Sequence, residues 1–154
     1  MVVGMTIGFF LVYRHQFFFN TQNIKTPQGF VHKDATVVSP QGVHISVLVA
    51  DTDKKRASGL SGFSRLKDKQ GMLFVFPQVG IYPFWMKDMN FPLDIIWMDQ
   101  NNMIIDRTIN IVPESYPETF TAKASVASVL ELPANTADKY GFSVGSYIQV
   151  QNNK

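Results

Sequence analysis

Two neighbouring stretches of the chain combine aromatic rings and charged side chains with apolar residues. Residues 84–89 read Phe-Trp-Met-Lys-Asp-Met, and residues 92–97 read Pro-Leu-Asp-Ile-Ile-Trp. A carboxylate in apolar surroundings must either find hydrogen-bond donors or take up a proton. Asp94 is therefore the first candidate for a functional side chain. If it is ionised, we expect it to pair with Arg56 or Lys87.

Glu131 raises the same question, because apolar residues flank it on both sides. One hypothesis places five side chains around a single cleft, in which rings stack on a ligand and charged groups orient it. These candidate ligand-binding residues are Arg56, Trp85, Lys87, Asp94 and Glu131. A competing interpretation makes Arg56 and Asp94 an internal ion pair that fixes a helix on the sheet. In that interpretation Trp85 and Met86 belong to the core.

A third interpretation is catalytic. Asp94 and Glu131 would serve as acid and base in glycoside cleavage, which needs two carboxyl groups roughly 5 to 10 Å apart. The sequence has no Gly-rich phosphate loop, no Gly-x-Ser-x-Gly motif and no two His residues at helical spacing. His44 is the only imidazole in the predicted domain. We therefore predict no metal site and no cofactor.

The charge balance argues against one class of partner. The chain has 14 Lys and Arg against 12 Asp and Glu, a net charge of +2, and no run of five like charges. Nucleic-acid-binding proteins concentrate basic residues on one face to neutralise phosphates, so we predict no nucleic-acid partner. Because the chain contains no Cys, disulfides and thiolate catalysis are excluded.

Residues 1–19 form a hydrophobic segment typical of a membrane anchor or a signal sequence. The first 13 residues carry no charge, and their apolar run is shorter than the roughly 20 residues that span a bilayer. Residues 20–33 are polar and are predicted to be a linker, which leaves 34–151 as a single domain. The basic residues Arg14, Lys25 and Lys33 follow the apolar run, which by the positive-inside tendency favours a cytoplasmic domain.

The hydrophobic periodicity predicts a domain rich in β-strands. Strands are predicted at residues 43–49, 71–76, 93–98, 103–111, 125–132 and 147–150, with a further candidate at 84–89. Pro77 is expected to end the second of these strands. The strands 93–98 and 103–111 flank Asp-Gln-Asn-Asn, which predicts a hairpin. Short helices are predicted after a cap at Asp51 or Thr52 and at 134–140. The fold class is therefore α+β, mainly β, with an antiparallel or barrel-like sheet and one or two short helices.

Five blocks of this sequence resemble the family called domain of unknown function 192, or DUF192. They are Arg56-x-x-Gly59-Leu60, Gly71-Met72-Leu73-Phe74-Val75-Phe76, Phe84-Trp85-Met86-Lys87, Pro92-Leu93-Asp94-Ile95-Ile96 and Val129-Leu130-Glu131-Leu132. The resemblance covers about residues 43–150. It implies a small β-rich fold, often behind a signal peptide or anchor, with no established activity. Family members often have Asn-Thr where this chain has Asp88-Met89.

The resemblance favours an extracytoplasmic location for the domain, tethered to the membrane by its N-terminal segment or exported. We therefore predict a cell-envelope domain with a non-catalytic role in binding a glycan or peptide ligand, or an accessory role. Two alternatives stay open: a hydrolase that acts on an envelope polysaccharide through Asp94 and Glu131, and a purely structural module that binds a partner protein. A concave site near Asp94 would favour the first two functions over the third.

Overall fold

The computed structural model describes residues 35–152. The predicted N-terminal segment 1–19 and the linker 20–33 lie outside these residues. Within 35–152, no helix has the length and apolar character needed to cross a bilayer.

The described residues form one mixed sheet with two short helices. The strands are β1 (Ala35–Val38), β2 (His44–Ala50), β3 (Gln70–Gly80), β4 (Leu93–Met98), β5 (Ile104–Ile111), β6 (Val126–Pro133) and β7 (Gln149–Asn152). The helices are α1 (Asp53–Ser58) and α2 (Thr136–Lys139), and a 3-10 helix occupies Pro113–Ser115. The strand order is β5-β4-β6-β3-β2-β1-β7. Neighbouring strands are antiparallel except for β2 and β3, which are parallel. The predicted fold class is confirmed.

The two edges of the sheet meet just before β7. Met103 and Tyr147 form an isolated antiparallel bridge, and the amide of Ile104 donates to the carbonyl of Ser146 at 2.8 Å. The amide of Gly145 donates in turn to the carbonyl of Ile104, also at 2.8 Å. Since β7 then pairs with β1, this last part of the chain links both edges and gives the sheet a barrel-like form.

The sheet carries a hydrophobic core on each face. Successive side chains of a strand point to opposite faces, so the fully buried β4 supplies residues to both cores. The α2-side core contains Ala35, Val37, Ile45, Val47, Leu73, Ile96, Met98, Ile104, Leu130, Leu132, Ala137, Tyr140, Phe142 and Ile148. The cavity-side core contains Ala50, Leu60, Leu66, Met72, Phe74, Met86, Leu93, Ile95, Trp97, Ile111, Ala122, Val126 and Val129.

Helix α1 begins and ends as its sequence predicts for a short capped helix. The Thr52 hydroxyl accepts a hydrogen bond from the amide of Lys55 at 3.3 Å, which confirms Thr52 as the cap. The helix ends at Gly59, whose φ of +47° favours glycine. A Cβ atom at Gly59 would lie 3.5 Å from the ring of Phe74. The glycine therefore lets the helix end lie close to β3.

Strand β3 does not end at Pro77, contrary to the prediction. Val75 pairs with Ser128 and Gly80 pairs with Val126, so extra residues of β3 bulge out between these two pairs. A bulge accommodates proline because the proline has no amide to contribute to the sheet.

Residues 84–89 do not form the candidate strand. Only Phe84 pairs there, in an isolated bridge with Phe120. The remainder of the segment crosses the cavity-side core as an irregular chain, and this shape creates the site described next.

Candidate functional site

A cavity of about 270 Å³ opens between α1 and residues 82–89, above the cavity-side face of the sheet. Five aromatic residues contribute to its wall: Phe74, Phe76, Tyr82, Phe84 and Trp85. Leu60 and Met89 add apolar surface, Arg56 contributes a guanidinium group and Glu131 contributes a carboxyl group. The cavity is thus a mainly apolar, ring-lined space with a few polar groups, as is typical of small-molecule sites.

The rings hold one another in fixed orientations. Phe76 and Tyr82 stack with centroids 3.6 Å apart. Phe84 meets Phe74 edge-on at 5.0 Å and the buried Trp97 edge-on at 5.3 Å. Such pairs add to the stability gained by burial. The cavity wall is therefore anchored in the core beneath it.

Hydrogen bonds tie residues 84–90 to the loop that follows α1. They run from Ser61 Oγ to Lys87 O (3.0 Å), from Gly62 N to Asp88 O (3.0 Å), and from Asn90 Nδ2 to Phe63 O (2.9 Å). Asp88 has a φ of +57°, a conformation that Asp and Asn tolerate better than most residues. These bonds hold the two sides of the cavity together.

Glu131 lies on β6 with its side chain in the cavity wall. Its neighbours across the sheet are Met72 on β3 and Ile95 on β4. The residue is only 6% exposed, and its Oε2 atom has no hydrogen-bond partner. Burial raises the pKa of Glu131 from 4.5 to about 8. At neutral pH the carboxyl group is therefore mostly protonated, and it offers both a donor and an acceptor.

Arg56 is the second of these groups and lies on α1. One terminal nitrogen donates to the carbonyl of Val75 at 2.8 Å, and the other forms an ion pair with Asp53. Its guanidinium carbon lies 5.7 Å from the centroid of the Phe76 ring. Arg56 therefore fastens α1 to β3, and its ionic partner is on its own helix. The prediction of an Arg56–Asp94 ion pair is wrong.

Asp94 is completely buried on the opposite face of the sheet. Its Oδ1 accepts from the amide of Asn110 and its Oδ2 from the amide of Ala137, each at 2.9 Å. Ala137 lies in the first turn of α2, whose own N-cap residue, Asn135, makes no capping bond with its side chain. Asp94 thus caps α2 from a neighbouring strand. Its expected pairing with Arg56 or Lys87 is replaced by these backbone donors.

The structure brings together three of the five predicted site residues. Arg56, Trp85 and Glu131 line the cavity, whereas Lys87 and Asp94 do not. Trp85 is 50% exposed, so it lies at the cavity mouth. The competing interpretation, which placed Trp85 in the core, is wrong on this residue. Lys87 has an exposed side chain.

The rings of Phe76, Tyr82 and Phe84 also line the cavity, and they were not predicted from the sequence as site residues. The available signal was the density of aromatic residues between 74 and 85. Within 35–152, no three His, Asp or Glu side chains are grouped so as to hold a metal ion.

The sequence of this domain matches the model of a known protein family. The model of DUF192, described as an uncharacterized ACR, matches residues 35–150. The chain belongs to the DUF192 family. No curated protein matches it.

Solved structures share the DUF192 fold with this chain. One is a crystal structure described as a "putative transcription regulator" from Sinorhizobium meliloti 1021, with 28% identity and a TM-score of 0.69. The match covers 75% of this chain and 91% of that one. Another is a protein of unknown function from Novosphingobium aromaticivorans DSM 12444, with 27% identity and a TM-score of 0.69. It covers 75% of this chain and 82% of that one.

Proposed function

We propose that this DUF192 domain binds a small ligand, or one ring-bearing group of a larger glycan or peptide, without converting it chemically. The observation that carries the proposal is the ring-lined cavity, which has a buried, unpartnered carboxyl group in its wall. A buried polar group without a partner is unfavourable in a folded protein. A ligand that supplies the missing partner would remove that deficit while its apolar part fills the cavity.

The size of the cavity suits such a ligand. An apolar cavity of roughly 150 Å³ is enough to bind benzene in a protein interior. The cavity here measures about 270 Å³, which accommodates one aromatic or sugar ring with a polar substituent. Because the lining rings are already packed against the core, binding needs little rearrangement.

The other candidate functions have less support. Asp94 and Glu131 face opposite sides of the sheet, so they are not placed to act as acid and base on one bond. The description of the S. meliloti protein suggests a transcriptional role for that protein. We do not propose this role for the present chain. Helices α1 and α2 have six and four residues, which is short for a helix that reads the major groove.

The location of the domain is a further part of the proposal. The apolar segment 1–19 would tether the domain to the membrane, with residues 35–152 outside the cytoplasm. A reporter that is active only outside the cytoplasm, fused after Lys154, tests this. Activity of the fused reporter supports the proposal, and an inactive but intact fusion overturns it.

Binding is tested by titrating the full chain with small ring-bearing probes: toluene, phenol, benzamide, benzylamine and benzoate. Ligand-observed NMR and calorimetry detect the weak binding expected of such probes. Ala57 is exposed and lines the cavity, so Ala57→Trp should block the mouth and abolish binding. Lys54→Trp is the matched control, because Lys54 lies on the same helix but outside the lining. If no probe binds, or if Ala57→Trp still binds, the cavity is not the ligand site.

A further inference from the structure

Glu131 gives the cavity a specific hydrogen-bonding preference. We propose that the cavity selects an uncharged ring-bearing ligand with a donor and an acceptor side by side, the carboxamide and lactam class, held by the carboxyl group of Glu131. This inference rests on the proposed binding function and names the ligand class for the same site.

The first argument is the unmet hydrogen-bonding capacity of the carboxyl group. Oε2 of Glu131 has no partner, and the cross-strand neighbours Met72 and Ile95 offer none from their side chains. The last torsion of a Glu side chain is broad and roughly two-fold, so rotation can turn either oxygen towards the cavity. A ligand in the cavity can therefore reach the group.

The second argument is that the other titratable groups of the lining already have partners within the protein. Both terminal nitrogens of Arg56 bind protein oxygens, those of Val75 and Asp53. The hydroxyl of Tyr82 donates to the carbonyl of Gln78 at 2.6 Å. Arg56 and Tyr82 are the other titratable groups that line the cavity. Among the titratable side chains of the lining, Glu131 is thus the one with a buried polar atom that has no partner.

The third argument concerns charge. Burial alone raises the pKa of Glu131, and the same burial disfavours a charged ligand of either sign. A cationic ligand would require Glu131 to ionise in that environment. An anionic ligand beside Glu131 would lie in the same buried surroundings, where a charge is disfavoured.

A carboxamide or lactam matches the protonated carboxyl group atom for atom. The O–H of Glu131 donates to the amide oxygen of the ligand, and the carboxyl C=O accepts from the amide N–H. Two hydrogen bonds close a ring between the groups and fix the direction of the ligand. The remainder of the ligand then lies among Phe74, Phe84 and Trp85 in the cavity.

The test uses three probes with one ring and different charges: benzamide, benzylamine and benzoate, titrated into the full chain at pH 6.5. We expect benzamide to bind at least about tenfold more tightly than either charged probe, a difference typical of an unmatched buried polar group. Equal or tighter binding of benzylamine or benzoate would overturn the ligand class. If none of the three probes and no other ring-bearing probe binds, the proposed function itself fails.

Two substitutions at Glu131 separate its hydrogen bonds from its packing. Glu131→Leu should weaken benzamide binding at least about tenfold and leave toluene binding intact, because only the polar partner is lost. Glu131→Gln keeps a donor and an acceptor, so it should retain benzamide binding. Ser128→Ala is the matched control, since the hydroxyl of Ser128 is buried without a partner on the same strand and lies outside the lining. Unchanged benzamide binding in Glu131→Leu would exclude Glu131 as the group that holds the ligand.

The pH dependence gives an independent readout. Wild-type affinity for benzamide should fall as pH rises through about 8, the pKa of Glu131, because the ionised group can no longer donate. In Glu131→Gln the affinity should stay level from pH 6 to pH 9. A wild-type affinity that is equally level would contradict the assigned donor.

Discussion

Asp94 and Glu131 lie on the paired strands β4 and β6, one register position apart, and their side chains face opposite sides of the sheet. Asp94 pairs with Leu132, and Glu131 pairs with Ile95. Asp94 is surrounded by the α2-side core and accepts from two backbone amides. Glu131 lines the cavity, and its buried Oε2 has no partner. The two acids have similar apolar neighbours in the sequence. In the fold, however, Asp94 has a structural position and Glu131 lies in the cavity wall.

Removing the Asp94 carboxylate should destabilise the fold and leave the cavity unchanged. Asp94→Ala leaves the amides of Asn110 and Ala137 without their acceptor, so we expect the free energy of unfolding to fall by about 3 kcal/mol. Asp94→Asn keeps one acceptor oxygen and should cost less. Chemical denaturation measures both changes. A loss of benzamide binding in a folded Asp94→Asn protein would contradict the structural assignment.

The raised pKa of Glu131 predicts how stability changes with pH. Between pH 4.5 and about 8 the folded state keeps the Glu131 proton, whereas the unfolded state releases it. Because the folded state binds more protons, the free energy of unfolding should fall as pH rises, by up to about 1.4 kcal/mol per pH unit. Above about pH 8 both states are ionised and the loss should level off.

Comparison with Glu131→Gln isolates this effect, because the remaining titrating groups are common to both proteins. Denaturation curves measured from pH 4 to pH 9 should show the variant gaining stability relative to the wild type as pH increases. Ser128→Ala should follow the wild type throughout. Parallel pH profiles for the wild type and Glu131→Gln would mean that the carboxyl group is not buried in its neutral form.

Trp85 should matter for binding and little for stability. Its side chain lies at the cavity mouth and is 50% exposed, whereas the adjacent Met86 is 2% exposed. Trp85→Ala should change the free energy of unfolding by less than about 1 kcal/mol and weaken the binding of ring-bearing probes several-fold. Met86→Ala should cost about 2 to 5 kcal/mol.

Tyr147→Ala is the control for losing an exposed ring, because Tyr147 is 60% exposed and lies outside the lining. It should leave probe binding intact. If Trp85→Ala destabilises the chain as much as Met86→Ala does, Trp85 is a core residue. It would then not be assigned to ligand binding at the cavity mouth.

The mainly-β fold was predictable because its signals are local. The hairpin of β4 and β5 follows from two apolar runs around a polar turn, and Asn102 in that turn adopts a φ of +61°. The continuation of β3 beyond Pro77 was not predictable. It depends on a bulge against β6, a strand that lies about 50 residues further along the chain. β1 also went unpredicted, since its four residues are too few to show a clear period.

The candidate site was predicted only in part, because some of its features depend on contacts between distant parts of the chain. Trp85 and Glu131 were predicted from their apolar neighbours in the sequence, and Arg56 as a partner of Asp94. The fold brings all three to one cavity. Which face each acid occupies depends on the register of β4 against β6, and a shift of one residue would exchange the faces. Sequence alone gives no such register, so Asp94 and Glu131 could not be separated.

The two basic candidates, Arg56 and Lys87, should behave differently when replaced by alanine. Arg56 connects α1 to Val75 of β3 and covers the ring of Phe76. Arg56→Ala should therefore lower the free energy of unfolding by about 1 to 2 kcal/mol and weaken probe binding by loosening the cavity wall. Lys87 contributes its backbone carbonyl to Ser61, which alanine retains, so Lys87→Ala should change neither quantity. Denaturation and probe titration of both variants check this. Weaker probe binding in Lys87→Ala would show that the Lys87 side chain takes part in binding.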